Sequence, residues 1–337
     1  MKEAKFYEKR DDGSVHCFLC AQHCRIAPGE VGTCGVRKNE AGTLMSLNYG
    51  RLVAESVDPI EKKPLFHYHP GSTSYSIAAM GCNFSCLFCQ NADIAQTPKE
   101  KGLILGRETP PGLVVARARE AGCASISYTY TEPTIFLEYA LDVMAPARAA
   151  GLGNVFVTNG FMTAQALKAA APLLDAANVD LKAFSDDFYR TICGARLKPV
   201  CETIEAMLAA NVWVEVTTLV IPGKNDDPQE LKDLAAFLVG LSPDMPWHVT
   251  AFHPTYRLTD RPPTPPETLR RARDIGLAAG LRYVYTGNIA DAAGETTSCH
   301  SCGRPLVNRR GFRSVNVGLS GGACRDCGAP MAGVGLP

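Results

Sequence analysis

The sequence predicts an α/β fold built on a parallel sheet, and three observations predict it. Short β-branched or aromatic runs alternate with Ala- and Leu-rich stretches through the middle of the chain. Turn or proline signals open several of the helical stretches: Pro110-Pro111, Asp226-Asp227-Pro228 and Pro265-Pro266-Glu267. The alternation repeats six or seven times, short of the eight units of a closed barrel, so a partial or open barrel is expected.

The strand candidates are 74–80, 125–130, 154–159, 178–184, 213–221, 247–252 and 282–287. Each is rich in Val, Ile, Thr, Tyr or Phe, which pack well on a pleated surface. Helix candidates fill the gaps at 111–121, 134–150, 163–175, 199–210, 228–240 and 265–280. In a parallel β/α sheet, chemistry gathers at the C-terminal ends of the strands. Gly81-Cys82 follows the first strand, Tyr128 to Pro133 end the second, and Asn159 ends the third. Asp180 and Lys182 lie on the fourth, and His253 follows the sixth.

Charge and composition exclude several classes. Lys+Arg and Asp+Glu are both 34, so no global field attracts nucleic acid or an acidic membrane. No stretch approaches the ~20 apolar residues of a membrane span. The opening MKEAKFYEKRDDGS lacks the apolar core of a signal peptide. A soluble, cytoplasmic protein is expected, with no membrane association and no nucleic-acid partner.

The chain has 14 cysteines, and 11 of them fall into three groups: Cys17, Cys20, Cys24 and Cys34; Cys82, Cys86 and Cys89; Cys299, Cys302, Cys324 and Cys327. In a reducing cytosol such clustered thiols read as metal ligands rather than disulfides. Cys123, Cys193 and Cys201 stand alone and read as small core residues. The middle group, in GCNFSCLFCQN, is a C-x3-C-x2-C run. Iron–sulfur clusters normally take four thiolates. Three ligands leave one iron open to something else.

C-x3-C-x2-C after the first strand of a β/α barrel resembles the radical SAM superfamily. The resemblance implies that Cys82, Cys86 and Cys89 hold a 4Fe-4S cluster whose open iron is chelated by S-adenosylmethionine. Phe88 matches the aromatic that leans on the adenine. The segments TYTEP, TNGF, DLKAF and VIPGKND look like the pyruvate formate-lyase activating enzyme branch. Tyr130-Thr131-Glu132 occupies the place of that branch's Gly-Gly-Glu, with both glycines replaced by bulkier residues. Asn159, Asp180, Lys182 and His253 match its cofactor-contacting positions. The stretches HCFLCAQHC, DPIEKKPLFHYHPG and GCNFSCLFCQN together resemble the radical SAM component of the AmmeMemoRadiSam system. That resemblance implies Memo-like and AMMECR1-like protein partners and an electron donor such as flavodoxin or ferredoxin.

The expected activity is reductive cleavage of S-adenosylmethionine to a 5′-deoxyadenosyl radical that abstracts hydrogen from a small molecule or a protein. A glycyl-radical activase shares every residue named. An iron–sulfur electron carrier that does not cleave S-adenosylmethionine belongs to a different class, and would have no use for Glu132, Asp180 and Lys182.

The flanking cysteines complete the layout. Cys17, Cys20, Cys24 and Cys34 offer four thiolates for a zinc ion or an auxiliary iron–sulfur cluster. Cys299-x2-Cys302-Gly and Cys324-x2-Cys327-Gly are spaced like a zinc ribbon, in a lobe made basic by Arg304, Arg309, Arg310 and Arg313. The expected organisation is an N-terminal Cys-rich module at 1–72, a partial (β/α)6-7 radical SAM barrel at 73–292 and a C-terminal zinc-ribbon-like lobe at 293–337. Just before the cysteine loop, Lys62, Lys63, His67 and His69 are placed to reach the mouth of the bowl and act on a substrate or a cluster's environment; the competing reading, which is favoured, is a solvated hairpin that carries the N-terminal module onto the barrel.

Overall fold

Each β-branched run becomes a strand of one sheet in the computed structural model, which describes residues 1–337. The strands are β1 (Arg51–Pro59), β2 (Thr73–Ala79), β3 (Ser125–Tyr128), β4 (Gly153–Thr158), β5 (Ala176–Asp180), β6 (Trp213–Val220), β7 (Trp247–Ala251) and β8 (Val284–Gly287). From β2 to β8 they pair in chain order and all in parallel. β1 runs antiparallel beside β2, and a short strand, Arg107–Glu108, pairs with β1 at the edge. Chain-order pairing places all C-terminal strand ends along one rim.

Helices cover the sheet: α1 (Pro111–Glu120), α2 (Leu137–Ala149), α3 (Ala164–Ala170), α4 (Leu197–Ala209), α5 (Pro228–Leu241) and α6 (Pro266–Ala279). Their starts follow local chemistry. The Asp227 carboxylate accepts the N–H groups of Gln229 (2.8 Å) and Glu230 (3.1 Å), capping α5 ahead of Pro228. Thr163 caps α3 in the same way. The strands bury both faces, as a parallel sheet requires, with Ile126, Val155, Val179, Val216 and Val249 all in the core.

Three expectations shift. The fourth strand stops at Asp180, not 184, so Lys182 lies in a loop pinned by Asn225 Nδ2 to its carbonyl at 2.6 Å. The helix expected at 163–175 ends at Ala170 and tightens into a short turn over Ala171–Leu173, at Pro172. The stretch Asp58 to Gly71 is no solvated hairpin. Its first residues end β1, Lys63 and His67 are each 1 % exposed, and the chain crosses the sheet as a strap. Glu215 on β6 holds the strap by accepting the N–H groups of Phe66 (3.0 Å) and His67 (2.8 Å) and a bond with His248 Nε2 (2.7 Å).

The N-terminal residues form small antiparallel sheets that dock on the barrel. A buried ion pair, Arg37 Nη2 to Glu138 at 2.5 Å, joins them to α2. At the other end, the C-terminal lobe pairs Pro305–Arg310 with Arg313–Asn316 and shares its small core with the barrel through Phe66, Tyr283 and Tyr285. Arg309 does not belong to a solvated basic face. It is buried, and its Nη2 donates to the Phe66 carbonyl at 2.7 Å.

Gly81, between β2 and the cysteine loop, has φ +108°, and a Cβ there would meet Val36 Cγ1 at 2.7 Å and the Cys34 carbonyl at 3.1 Å. Gly81→Ala should destabilise the protein by about 3 kcal/mol in a urea titration. Gly102→Ala, also at positive φ but with open space around it, should cost only about 1 kcal/mol.

Candidate active site

The loop after β2 carries Cys82, Cys86 and Cys89 at the rim. The Phe84 N–H points at the Cys82 sulfur at 3.4 Å, and the Asn91 N–H is directed to Cys89. Two further bonds hold the loop's back. Ser85 N–H donates to the Cys193 carbonyl (2.8 Å) and Leu87 N–H to the Ile192 carbonyl (3.0 Å). The Cys193 thiol, expected as an isolated core residue, faces Cys86. Burial pushes the Cys82 and Cys89 thiols up, and the Cys193 thiol with burial pushes Cys86 well up. Three thiols so placed do not ionise together unless a positive centre joins them.

A cavity of ≈ 540 Å³ opens over this loop. It brings together Phe88, Tyr130, Thr131, Glu132, Asn159, Asp180 and Lys182 with the three cysteines. Lys182 Nζ meets Asp180 Oδ2 at 2.7 Å and stands 5.8 Å from the Phe88 ring centre. Burial opposes its charge, yet the negative groups around it hold Lys182 above an ordinary lysine. Asn159 Nδ2 donates to Asn83 Oδ1 at 2.7 Å and lies 3.8 Å from the Cys82 sulfur.

Glu132 is 1 % exposed and its carboxylate has four donors: Thr134 N–H (3.0 Å), Thr134 Oγ1 (2.6 Å), Thr158 Oγ1 (2.7 Å) and Asn159 N–H (2.7 Å). It therefore ties the ends of β3 and β4 together beneath the cavity. Burial raises its pKa, opposed by those donors. Tyr130 has φ +64°, unusual for a bulky residue. Asn91 Nδ2 holds its carbonyl at 2.7 Å.

His253 does not join the group. β7 ends at Ala251, Thr264 Oγ1 takes the Phe252 N–H at 2.9 Å, and the chain then turns outward, leaving His253 exposed. Thr250 and Asn288 line the cavity on that side instead.

The strap brings Lys62 and Lys63 to the mouth of the cavity, one of the two readings of this stretch, and adds Asp58, which the sequence did not single out. Asp58 accepts Lys62 Nζ (2.8 Å), Lys63 Nζ (2.7 Å) and the Tyr130 hydroxyl. Burial alone would raise Asp58, but these donors hold it well below the usual carboxylate range. Burial pushes Lys63 down to about 8, against the pull of Asp58. Lys62 and Lys63 line the cavity, and Lys63 Nζ stands 4.5 Å from the Tyr130 ring centre. His67 lies elsewhere, buried against Tyr285.

A second chamber of ≈ 1020 Å³, between the barrel and the C-terminal lobe, shares Pro64, Thr250, Asn288 and Phe312 with the first. The lobe's four cysteines gather all their sulfurs within 4.8 Å of one another. Cys299 to Cys327 is 3.6 Å and Cys302 to Cys324 is 3.8 Å. Bonds of about 2.3 Å to one tetrahedral ion put sulfurs about 3.8 Å apart, so the set fits a single metal ion.

Comparison with known proteins gives this arrangement a class. Residues 77–238 match the radical SAM superfamily. A solved radical SAM methyltransferase from Sphaerobacter thermophilus shares the fold with TM-score 0.50 and 20% identity, over 67% of this chain and 71% of that one. The chain is 44% identical over 331 residues to an uncharacterized protein of Methanocaldococcus jannaschii, covering 97% of this chain and 98% of that one. It is 22% identical over 218 residues to the pyruvate formate-lyase 1-activating enzyme of Escherichia coli K12, covering 61% of this chain and 89% of that one. Residues 77–238 thus form a radical SAM domain. The chain as a whole belongs to one family with the M. jannaschii protein.

The strap lysine has a testable signature. Lys63→Met removes a buried charge-assisted bond and should cost about 2 kcal/mol at pH 7 in a urea titration. The folded chain releases this lysine's proton near pH 8, whereas the unfolded chain keeps it to 10.5. Between those values the unfolded state binds the extra proton, so the wild type's advantage over the variant should grow as pH rises.

Proposed function

We propose that this chain reductively cleaves S-adenosylmethionine at a 4Fe-4S cluster held by Cys82, Cys86 and Cys89. The convergence of the three-cysteine loop and a polar, ligand-sized cavity on one rim supports this reading most directly. When bound, the cluster and S-adenosylmethionine supply a 5′-deoxyadenosyl radical, with methionine as the other product.

The chain's own residues hold and orient. Backbone N–H groups from Phe84 and Asn91 stabilise thiolate charge at Cys82 and Cys89. Lys182 offers a cation for the cofactor's carboxylate, and Asp180 beside it offers acceptors for ribose hydroxyls. Phe88 presents an apolar face for the adenine. Tyr130, held by Asn91 and Asp58, and Thr131, held by the Ala79 carbonyl, would form the wall that faces the cofactor's ammonium. Because the Glu132 carboxylate already has four donors, its role is to lock the ends of β3 and β4 beside that wall and add negative potential. Lys62, Lys63 and Tyr130 close the side toward the strap.

The second chamber is the place for the substrate, since it opens directly into the first. Glu61, His248, Asp291 and Arg309 line it, which suits a substrate with charged or hydrogen-bonding groups. The C-terminal ion is zinc, a structural ion that lets a short lobe roof the chamber. No helix of the chain is long and apolar enough to cross a membrane, and the proposed setting is the cytoplasm, with Memo-like and AMMECR1-like partners and a flavodoxin or ferredoxin as donor. A glycyl-radical activase is the second reading, favoured by the 22% identity to the E. coli activating enzyme. It predicts an EPR doublet on a partner glycine.

Anaerobic protein reconstituted with iron and sulfide and reduced with dithionite should form 5′-deoxyadenosine from S-adenosylmethionine, measured by chromatography. The Cys82→Ala/Cys86→Ala/Cys89→Ala variant should form none. Cleavage by that variant would sink the assignment.

A further inference from the structure

We propose that Cys17, Cys20, Cys24 and Cys34 hold a second, fully ligated iron–sulfur cluster, set against the loop that carries Cys82. The inference deepens the proposed function by adding a redox centre, and it rests on residues outside the site described above.

Sulfur spacing separates the two metals that four thiolates could bind. The C-terminal lobe shows what this chain does with a site for one ion: all four sulfurs lie within 4.8 Å of one another. Neither the Cys82, Cys86, Cys89 group nor the N-terminal group gathers so tightly. Yet Cys17, Cys20, Cys24 and Cys34 stay within mutual charge–charge reach, Cys20 and Cys34 each facing the other three or two of them. Thiolates on a cubane sit on different irons and must stand further apart than thiolates on one ion. The looser quartet suits the cubane.

The surroundings suit it too. Cys17, Cys20 and Cys34 are buried, and Cys24 reaches the surface, with its sulfur 3.3 Å from Thr33 Oγ1. The N–H groups of Leu19, Gln22 and Val36 each point at the sulfur two residues earlier. The Phe84 N–H treats Cys82 in the same way. Hydrogen bonds of this kind stabilise negative charge on cluster sulfur.

Arg37 is the independent sign of a missing anion. It is 2 % exposed and shares charge–charge contact with Cys17 and Cys34. Its Nη2 binds Glu138 and its Nη1 the Lys5 carbonyl, but its buried Nε has no partner. A buried N–H left unpaired is costly, and a thiolate-bound cluster with net negative charge would supply the acceptor.

The location ties this site to the first. The Cys34 carbonyl packs on Gly81, the residue before Cys82. Gln22 Nε2 donates to the Asn83 carbonyl at 2.9 Å. Cys20 bridges to Met162 beside the end of β4. Cysteine segments in such contact would place their two clusters for one-electron exchange, and half-buried Cys24 would give the outer one a solvent edge.

The test uses the full chain carrying Cys82→Ala/Cys86→Ala/Cys89→Ala, reconstituted anaerobically with iron and sulfide. About four irons and four sulfides per chain should remain, with a Mössbauer signature of a 4Fe-4S cluster. Adding Cys17→Ser and Cys20→Ser should remove them while the far-ultraviolet circular dichroism of the barrel is kept. Zinc at two per chain with no iron in the triple variant would overturn the proposal, as would no metal beyond the C-terminal ion. 5′-Deoxyadenosine formation by the wild type tests the first site separately, so the two readings fail independently.

Discussion

Three neighbouring thiols, one buried and two half-buried, cannot carry three negative charges without a positive centre among them, and the rim of this protein is organised around that constraint. Burial drives Cys82 and Cys89 toward the neutral form, and the Cys193 thiol together with burial does the same to Cys86. What favours thiolate is local: N–H groups of the loop itself and the Lys182 and Lys99 cations. The parallel sheet makes the arrangement possible, because each β-strand delivers its next few residues to the same rim. Lys182 comes from the loop after β5 and Asn159 from the end of β4, yet both arrive beside the loop after β2.

Around this centre the structure makes large use of buried polar pairs. Glu132 joins two strand ends, Glu215 holds the strap to β6, and Arg37 with Glu138 joins the N-terminal sheets to α2. Such groups are costly to desolvate and do little for stability compared with apolar packing. Each sits where three parts of the chain must keep a fixed position relative to the cysteine loop. Position, not stability, is the physical return on burying them.

The sequence made some of this legible and hid the rest for definable reasons. Cysteine spacing is local, so all three groups could be read directly, and the strand rhythm placed the rim. The strap's place before the cysteine loop lets Lys62 and Lys63 be set near the cavity, but its burial is hidden because its partners are distant: Lys63 meets Tyr130, Glu215 holds His67, and Val334 pairs with Tyr68. Charged residues in a row look solvated until a fold surrounds them. His253 is placed at the site by its position after a strand and by its match to the activating-enzyme branch, but Thr264 redirects the chain one residue earlier. Cys193 gave no signal at all, since only the packing of Ile192–Cys193 on Ser85 and Leu87 brings it to Cys86. Asn83 and Asn91 stood inside the cysteine motif's own stretch, where their amides could have been suspected of holding the loop.

The central claim is that the three-cysteine loop leaves one iron free for S-adenosylmethionine. Hyperfine spectroscopy tests it without any substrate. The protein is reconstituted and reduced in the Cys17→Ser/Cys20→Ser background, so that one cluster contributes, and S-adenosylmethionine labelled with nitrogen-15 at the amino group is added. The account predicts a nitrogen-15 coupling to the reduced cluster, lost when Lys182→Met and Asp180→Asn disable the cavity. A cluster spectrum that is unchanged by the cofactor, with no coupling, would contradict it.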